Sequence, residues 1–183
     1  MAGALARGWG EPVLCSDSGS GRARALAEEL GGEAFDSNVE VAKRADLVVL
    51  CHKPYQLAAV ADELRGEAKA VASVLGATTV ADLQQAYPDV PVFRLMPNTA
   101  VAVRRGVVCY SPAPGIDGAL ESEVIGLKSN IPTVGITRRN SRKYGSAVSR
   151  KNVRIVSDHR EYGGWTPAAN SQLSAMYTKM IRM

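Results

Sequence analysis

Short apolar runs alternate with stretches of helical periodicity along residues 1–127, the pattern of stacked βα units around a parallel sheet. Pro12–Ser16 predicts a short strand. Gly21–Leu30 predicts a helix, with Ser20 as N-cap and the Gly31-Gly32 pair as its stop. Asn38 is placed to cap a short helix ending near Arg44. Asp46–Cys51 is a continuous apolar run, as expected of a strand covered on both faces. Pro54 then opens a helix to Leu64, because proline suits a first turn. Ala70–Leu75 predicts a strand and Thr79–Tyr87 a helix. Strands over Val92–Met96 and Val107–Tyr110 follow, and then an amphipathic helix over Asp117–Leu127.

The fold class expected is α/β: a Rossmann-like, doubly wound, mostly parallel sheet. Such sheets bind ligands at the carboxyl ends of their strands, near the point where strand order reverses. The candidate site is therefore Ser16–Ser18, Cys51–Pro54, Ser73–Gly76 and Met96–Thr99, all rich in small and polar residues. Turn residues at strand ends account for the same composition without any ligand. A dinucleotide fold also needs a first strand and a glycine-rich turn feeding a helix, whose amides hold the pyrophosphate. Residues 1–9, MAGALARGW, read as the start of that helix without its strand, and no GxGxxG occurs in the chain. Gly19 to Gly21 comes after the second strand position and reads as a flexible turn. The expectation is a sheet truncated at its N-terminal side, with a gap where a central strand belongs and unpaired backbone groups beside it.

Composition fits a globular chain: 183 residues, 46% hydrophobic and 22% charged. No apolar run reaches the roughly 18 residues of a membrane span, and no basic-then-apolar leader opens the chain. Three cysteines without CxxC spacing suggest neither a zinc site nor a disulfide framework, so a reduced, cytoplasmic protein is the default. Charge changes the picture more. Residues 1–127 carry 11 basic against 16 acidic side chains, whereas residues 128–183 carry 11 against 2. The expected organisation is a 1–127 dinucleotide-binding domain and a 128–183 basic tail of unassigned structure.

Four segments, in order and at suitable spacing, resemble pyrroline-5-carboxylate reductase. Residues 1–5, MAGAL, look like the end of that family's G-x-G-N-M-A/G turn. Residues 51–54, CHKP, are similar to its A-V-K-P after a buried strand, and residues 73–76, SVLG, sit where it has a small-residue turn. Residues 94–99, RLMPNT, resemble its R-x-M-P-N-T, the most specific of the four. The resemblance covers about residues 1–127 and none is seen beyond Leu127.

The resemblance implies hydride transfer from NADPH or NADH to a cyclic imine, 1-pyrroline-5-carboxylate, giving L-proline. Position by position, it implies that Ala2, Ser16, Asp17, Ser18, Arg22, Asn38, Cys51, His52, Lys53, Pro54, Ser73, Val74 and Leu75 contact the cofactor. Pro97, Asn98 and Thr99 are implied to shape the substrate pocket. Asp17 would bond ribose hydroxyls and repel a 2′-phosphate, whereas Arg22 one turn on would pair with it, so NADPH against NADH stays open. An iminium is already an electrophile, so positioning provides most of the rate. No catalytic acid or base is assigned; His52, after a buried strand, is read as lining or packing. No metal is expected.

Family members continue into a long helical region that dimerises and completes the imine pocket. Here the chain reads KSNIPT from Lys128 and then RRNSRK from Arg138. Weak or absent turnover by this chain alone is the expectation. In the tail, Val153–Val156 reads as a possible short strand and Ser171–Met183 as an amphipathic helix. Basic residues interleave with Tyr144, Tyr162, Trp165 and Tyr177, a mixture that can bind nucleic acid. No recognised motif supports that use, and such charge is more often a solvated surface. Asp158 with His159 is an isolated pair. Two alternatives to a reductase remain: a dinucleotide-binding module without turnover, and a basic-tailed, nucleic-acid-interacting protein.

Overall fold

The structure, a computed structural model, describes residues 1–129 and 153–156. In chain order it runs α1 (Ala2–Trp9), β1 (Leu14–Ser16), α2 (Arg22–Leu30), β2 (Glu33–Phe35), α3 (Asn38–Arg44), β3 (Leu47–Leu50) and α4 (Leu57–Glu63). It continues through β4 (Val71–Ser73), α5 (Val80–Ala86), β5 (Val92–Pro97), β6 (Val108–Pro112), α6 (Gly118–Ser129) and β7 (Val153–Val156). Two 3₁₀ turns, Pro54–Gln56 and Thr99–Val103, precede α4 and β6 respectively.

The strands form one sheet in the order β2-β1-β7-β3-β4-β5-β6. All neighbours are parallel except β5 and β6, which pair antiparallel from Phe93↔Pro112 to Pro97↔Val108. Helices cover both faces. Leu5, Ala6 and Trp9 of α1 and Ala23 and Ala27 of α2 pack with Cys15, Val49, Ala72, Phe93 and Leu95 on one face. Val41 and Ala42 of α3, Val60 and Ala61 of α4 and Leu83 of α5 pack with Leu14, Val48, Leu50, Val71 and Val92 on the other. Burying each large side chain such as Phe93 or Leu50 contributes about 1.5–3 kcal/mol.

The expected gap is corrected. Between β1 and β3, where the sequence pattern leaves a central strand missing, β7 pairs parallel with both neighbours. Ile155 stands opposite Cys15 on one side and Val49 on the other. Every described backbone edge in the middle of the sheet therefore has a partner strand. The short strand expected over Val153–Val156 supplies it, but more than a hundred residues separate that strand from its partners, so no local pattern announces its place in the sheet.

Several local expectations are also corrected. Ser20 is not the N-cap of α2; Gly21 occupies that position with φ 76°, and the side chain closing the turn is Asp17. Ser37, not Asn38, caps α3 by accepting from the Val39 N–H at 3.2 Å, which leaves the Asn38 amide free for other partners. Pro54 opens a 3₁₀ turn and α4 begins only at Leu57. The edge strand β2 went unpredicted because it is three residues long and mostly exposed. Gly32 leads into it where a Cβ would stand 2.0 Å from the Val13 carbonyl oxygen, so only glycine lets the chain pass that close. The helix expected over Ser171–Met183, the basic aromatic stretch and the Asp158–His159 pair lie outside the described residues.

Candidate functional site

Because β1, β7, β3, β4 and β5 run parallel, their carboxyl ends share one edge of the sheet: Ser16, Val156, Leu50, Ser73 and Pro97. All four strand-end segments picked out in the sequence thus come together on this edge. Here α1 and α2 also begin. Met1, Ala2, Gly3 and Ala4 of the first helix face Arg22, Ala23 and Leu26 of the second across a cleft of about 400 Å³, which Arg7 and Glu29 close at its far end. Met1 offers α1 no side-chain cap, and the first intrahelical bond is Leu5 N–H to the Met1 carbonyl. The amides of Ala2, Gly3 and Ala4 therefore lack an intrahelical acceptor and aim their partial positive charge outward. Arg7 is already held by Glu29 in a bidentate pair, both contacts 2.7 Å. Among the described residues, the exposed Arg22 guanidinium has no acidic partner.

The loop after β1 is organised by Asp17. Its Oδ1 accepts from the N–H groups of Gly19 at 2.8 Å and Ser20 at 2.9 Å. Its Oδ2 accepts from the Ser20 hydroxyl at 2.9 Å and the Ala23 N–H at 2.7 Å. Partial burial works to raise the Asp17 carboxyl, but these donors outweigh it and hold the group below its ordinary range. A carboxyl depressed in the folded state adds stability that is complete above the unfolded value near 3.9 and is lost as pH falls through the folded one. In Asp17→Asn, stability measured by urea unfolding is expected to fall less steeply between about pH 4 and pH 2 than in the unaltered chain.

Ser16 and Asn38, far apart in sequence, meet here. The Ser16 hydroxyl donates to Asn38 Oδ1 at 2.7 Å, and Asn38 Nδ2 donates to Glu63 Oε2 at 2.9 Å. That chain ties the end of β1 to the start of α3 and to α4. Glu63 was not foreseen, because a glutamate at the end of a helix carries no signal of a partner on another element.

Next along the edge come Cys51 and His52. Burial pushes the Cys51 thiol up to about 12 and the Cys15 thiol to about 11, so neither supplies a thiolate. His52 is buried with Nδ1 2.9 Å from the Lys53 carbonyl, which can only accept, so the ring proton sits on Nδ1. Lys53 is exposed, and its N–H donates to Gln56 Oε1 to begin the turn at Pro54. The fully buried Ser73 hydroxyl accepts from the Leu75 N–H at 3.2 Å, and the Val74 N–H reaches back to the Leu50 carbonyl at 3.1 Å. These bonds fold the Ser73–Leu75 turn against the ends of β3 and β4.

The loop from Pro97 to Gly106 closes the far side. The Asn98 N–H donates to the Val107 carbonyl at 3.1 Å, and Asn98 Oδ1 accepts from the Val107 N–H at 3.1 Å. Its side chain thus locks the loop. Arg104, with φ 57°, sends Nε to the Gly8 carbonyl at 3.1 Å and fastens the loop to the C-terminal end of α1. Sequence pattern gave no hint of Arg104, since its partner is a main-chain oxygen 96 residues away. Among the described residues no group of three or more His, Cys, Asp or Glu side chains is arranged to hold a metal ion. None of their helices is long and apolar enough to cross a membrane.

Comparison with known proteins agrees with the fold. A family model described as NADP oxidoreductase, coenzyme F420-dependent, matches residues 1–77. The pyrroline-5-carboxylate reductase of Corynebacterium melassecola is 28% identical over 120 residues, covering 62% of this chain and 44% of that protein. Among solved structures, 1-pyrroline-5-carboxylate reductase from Streptococcus pyogenes matches with a TM-score of 0.64 at 22% identity, over 75% of this chain and 53% of that one. The Plasmodium falciparum pyrroline carboxylate reductase with NADP bound matches with a TM-score of 0.57 at 16% identity, over 69% and 58%. The enzyme from Coxiella burnetii matches with a TM-score of 0.63 at 18% identity, over 99% and 68%. The fold is therefore the α/β, Rossmann-like one, and the chain is similar to the N-terminal domain of these reductases. It spans about half the length of the first relatives it matches.

Proposed function

We propose that this chain is the NAD(P)H-binding part of an oxidoreductase of the pyrroline-5-carboxylate reductase type, which reduces a cyclic imine to L-proline. The observation that carries the reading is the cleft where α1 and α2 begin side by side at the carboxyl edge of the sheet. Its donor set suits a pyrophosphate: amides with no intrahelical acceptor, small side chains at Ala2 and Gly3 that let it approach, and Arg22, which has no acidic partner among the described residues. Ala2, Ser16, Asp17, Ser18, Arg22 and Asn38 would border the adenosine and phosphate half. Cys51, His52, Lys53, Pro54, Ser73, Val74 and Leu75 would border the nicotinamide half, with Pro97, Asn98 and Thr99 next to the imine.

When bound, the reduced nicotinamide supplies a hydride. The chain's own residues position and enclose. Asp17 holds the β1–α2 loop, Ser73 holds the turn after β4, and Asn98 with Arg104 holds the pocket loop against α1. An iminium needs no proton from the protein to accept a hydride, which agrees with His52 bonding to main chain and with thiols kept neutral. Two buried thiols suit a reducing compartment, and a cytoplasmic location accompanies the reading.

The test is NADPH binding followed by NADPH oxidation with and without pyrroline-5-carboxylate. Saturable binding is expected, with oxidation faster when the imine is present. Binding with no imine-dependent oxidation would instead favour a module that holds dinucleotide without turnover. No dinucleotide binding at all sinks the reading.

A further inference from the structure

An asparagine amide can meet a serine hydroxyl in either of two orientations, because the hydroxyl both donates and accepts. The contact between Ser16 and Asn38 at the end of β1 therefore does not by itself fix which end of the amide faces the strand. Glu63 removes the choice. A carboxylate only accepts, so the group 2.9 Å from Glu63 Oε2 is Asn38 Nδ2, and Asn38 Oδ1 is left to accept from the Ser16 hydroxyl at 2.7 Å. One Nδ2 hydrogen is spent in this way, and the other has no partner among the described residues. Glu63 does not serve its own helix. It is the last residue of α4, whose last turn carries no basic side chain, and a negative charge at a helix C-terminus opposes the dipole. Its neighbour Asp62 is paired with Arg65, whereas none of the ion pairs among the described residues includes Glu63.

We propose that Glu63 is a positioning residue of the dinucleotide site: it acts through Asn38, fixing that amide so that a ligand meets one arrangement of donor and acceptor beside Ser16. This rests on the dinucleotide reading above, in which Ser16 and Asn38 border the adenosine and phosphate half. It adds a residue on α4 that works without touching the ligand. A donor held in a single orientation is organised before the ligand arrives, so binding does not pay to select it.

The experiment is calorimetric titration with NADPH of the full chain, of Glu63→Gln, of Asn38→Ala and of the double variant, with the thermal unfolding midpoint of each. Glutamine has the size of glutamate but donates as well as accepts, so it no longer dictates the orientation of Asn38. Glu63→Gln is expected to weaken NADPH binding about three- to tenfold. Its unfolding midpoint is expected to stay the same or rise, because the charge opposing the α4 dipole is gone. In the Asn38→Ala background the same substitution is expected to change NADPH affinity by less than about twofold, the coupling that marks a residue acting through another. A Glu63→Gln chain that binds NADPH as tightly as the unaltered one, or more tightly, overturns the proposal and leaves the dinucleotide reading standing. So does an equal loss of affinity in both backgrounds, or a loss that comes with a lowered midpoint, which assigns Glu63 to the scaffold alone. An unaltered chain that binds no NADPH overturns both.

Discussion

Replacing Ile155 by proline is expected to cost at least about 3 kcal/mol of folding stability and to abolish dinucleotide binding with it. Ile155 is the third residue of β7, which pairs with β1 through Cys15 and with β3 through Val49. A proline there removes a donor in the middle of the sheet, leaves a buried carbonyl on β1 or β3 unpaired, and sets a ring against the neighbouring strand. Strands β1 and β3 are buried along their whole length, so water cannot replace the lost bond. The cleft suffers as well, because β1 carries the Asp17 loop and β3 carries Cys51 and His52. Val153→Pro is the control, since the first residue of a strand tolerates proline far better. Urea unfolding followed by circular dichroism distinguishes them. Equal, small losses in both variants would show that residues 153–156 are not a structural strand in solution.

Gly106→Ala is expected to destabilise the chain by about 3 kcal/mol and to open the pocket loop. An added Cβ would lie 2.3 Å from the Val101 nitrogen, 2.4 Å from Val101 Cγ1 and 2.6 Å from Asn98 Oδ1. The first of these is backbone and cannot swing aside. Relief requires the 3₁₀ turn Thr99–Val103 to move off the start of β6, which breaks the Asn98–Val107 bonds. Under the proposed function, imine affinity should then fall more than NADPH affinity, because the loop is fastened at the C-terminal end of α1 whereas the cleft proposed for the dinucleotide lies where α1 and α2 begin. Thermal unfolding gives the stability loss, and separate titrations with NADPH and imine give the split. A variant with unchanged midpoint and both affinities intact would contradict the close packing at this glycine.

The parts legible in the sequence were those set by neighbours along the chain. Continuous apolar runs such as Leu47–Leu50 read as buried strands because helices on both faces leave them no wet side. The helix expected over Thr79–Tyr87 forms, and the structure starts it with a capping box in which Thr79 and Asp82 exchange both bonds. The strand ends followed from the same alternation, and with them the edge on which a ligand would lie. Some of the errors were local too. Ser20 and Asn38 are the caps the sequence suggests, but Gly21 and Ser37 hold those positions, and what else each side chain could reach decided the outcome. Ser37 turned to the Val39 N–H while Asn38 was drawn to Ser16 and Glu63.

From the sequence by itself came the α/β class, the direction of the sheet and the segments that meet at its carboxyl edge, because hydrophobic period and chain breakers act over a few residues. Only the tertiary structure decided which segment fills the centre of the sheet, where Val153–Val156 enters between β1 and β3. It also decided that Asp17 and Asn98 spend their side chains on their own loops and that Arg22 does not. The physical reason is the same in each case. A strand slot, a saturated carboxylate and a close approach at glycine are properties of pairs of groups in space, and the free energy that selects them comes from burying and satisfying backbone and side-chain polar groups that only the folded chain brings together.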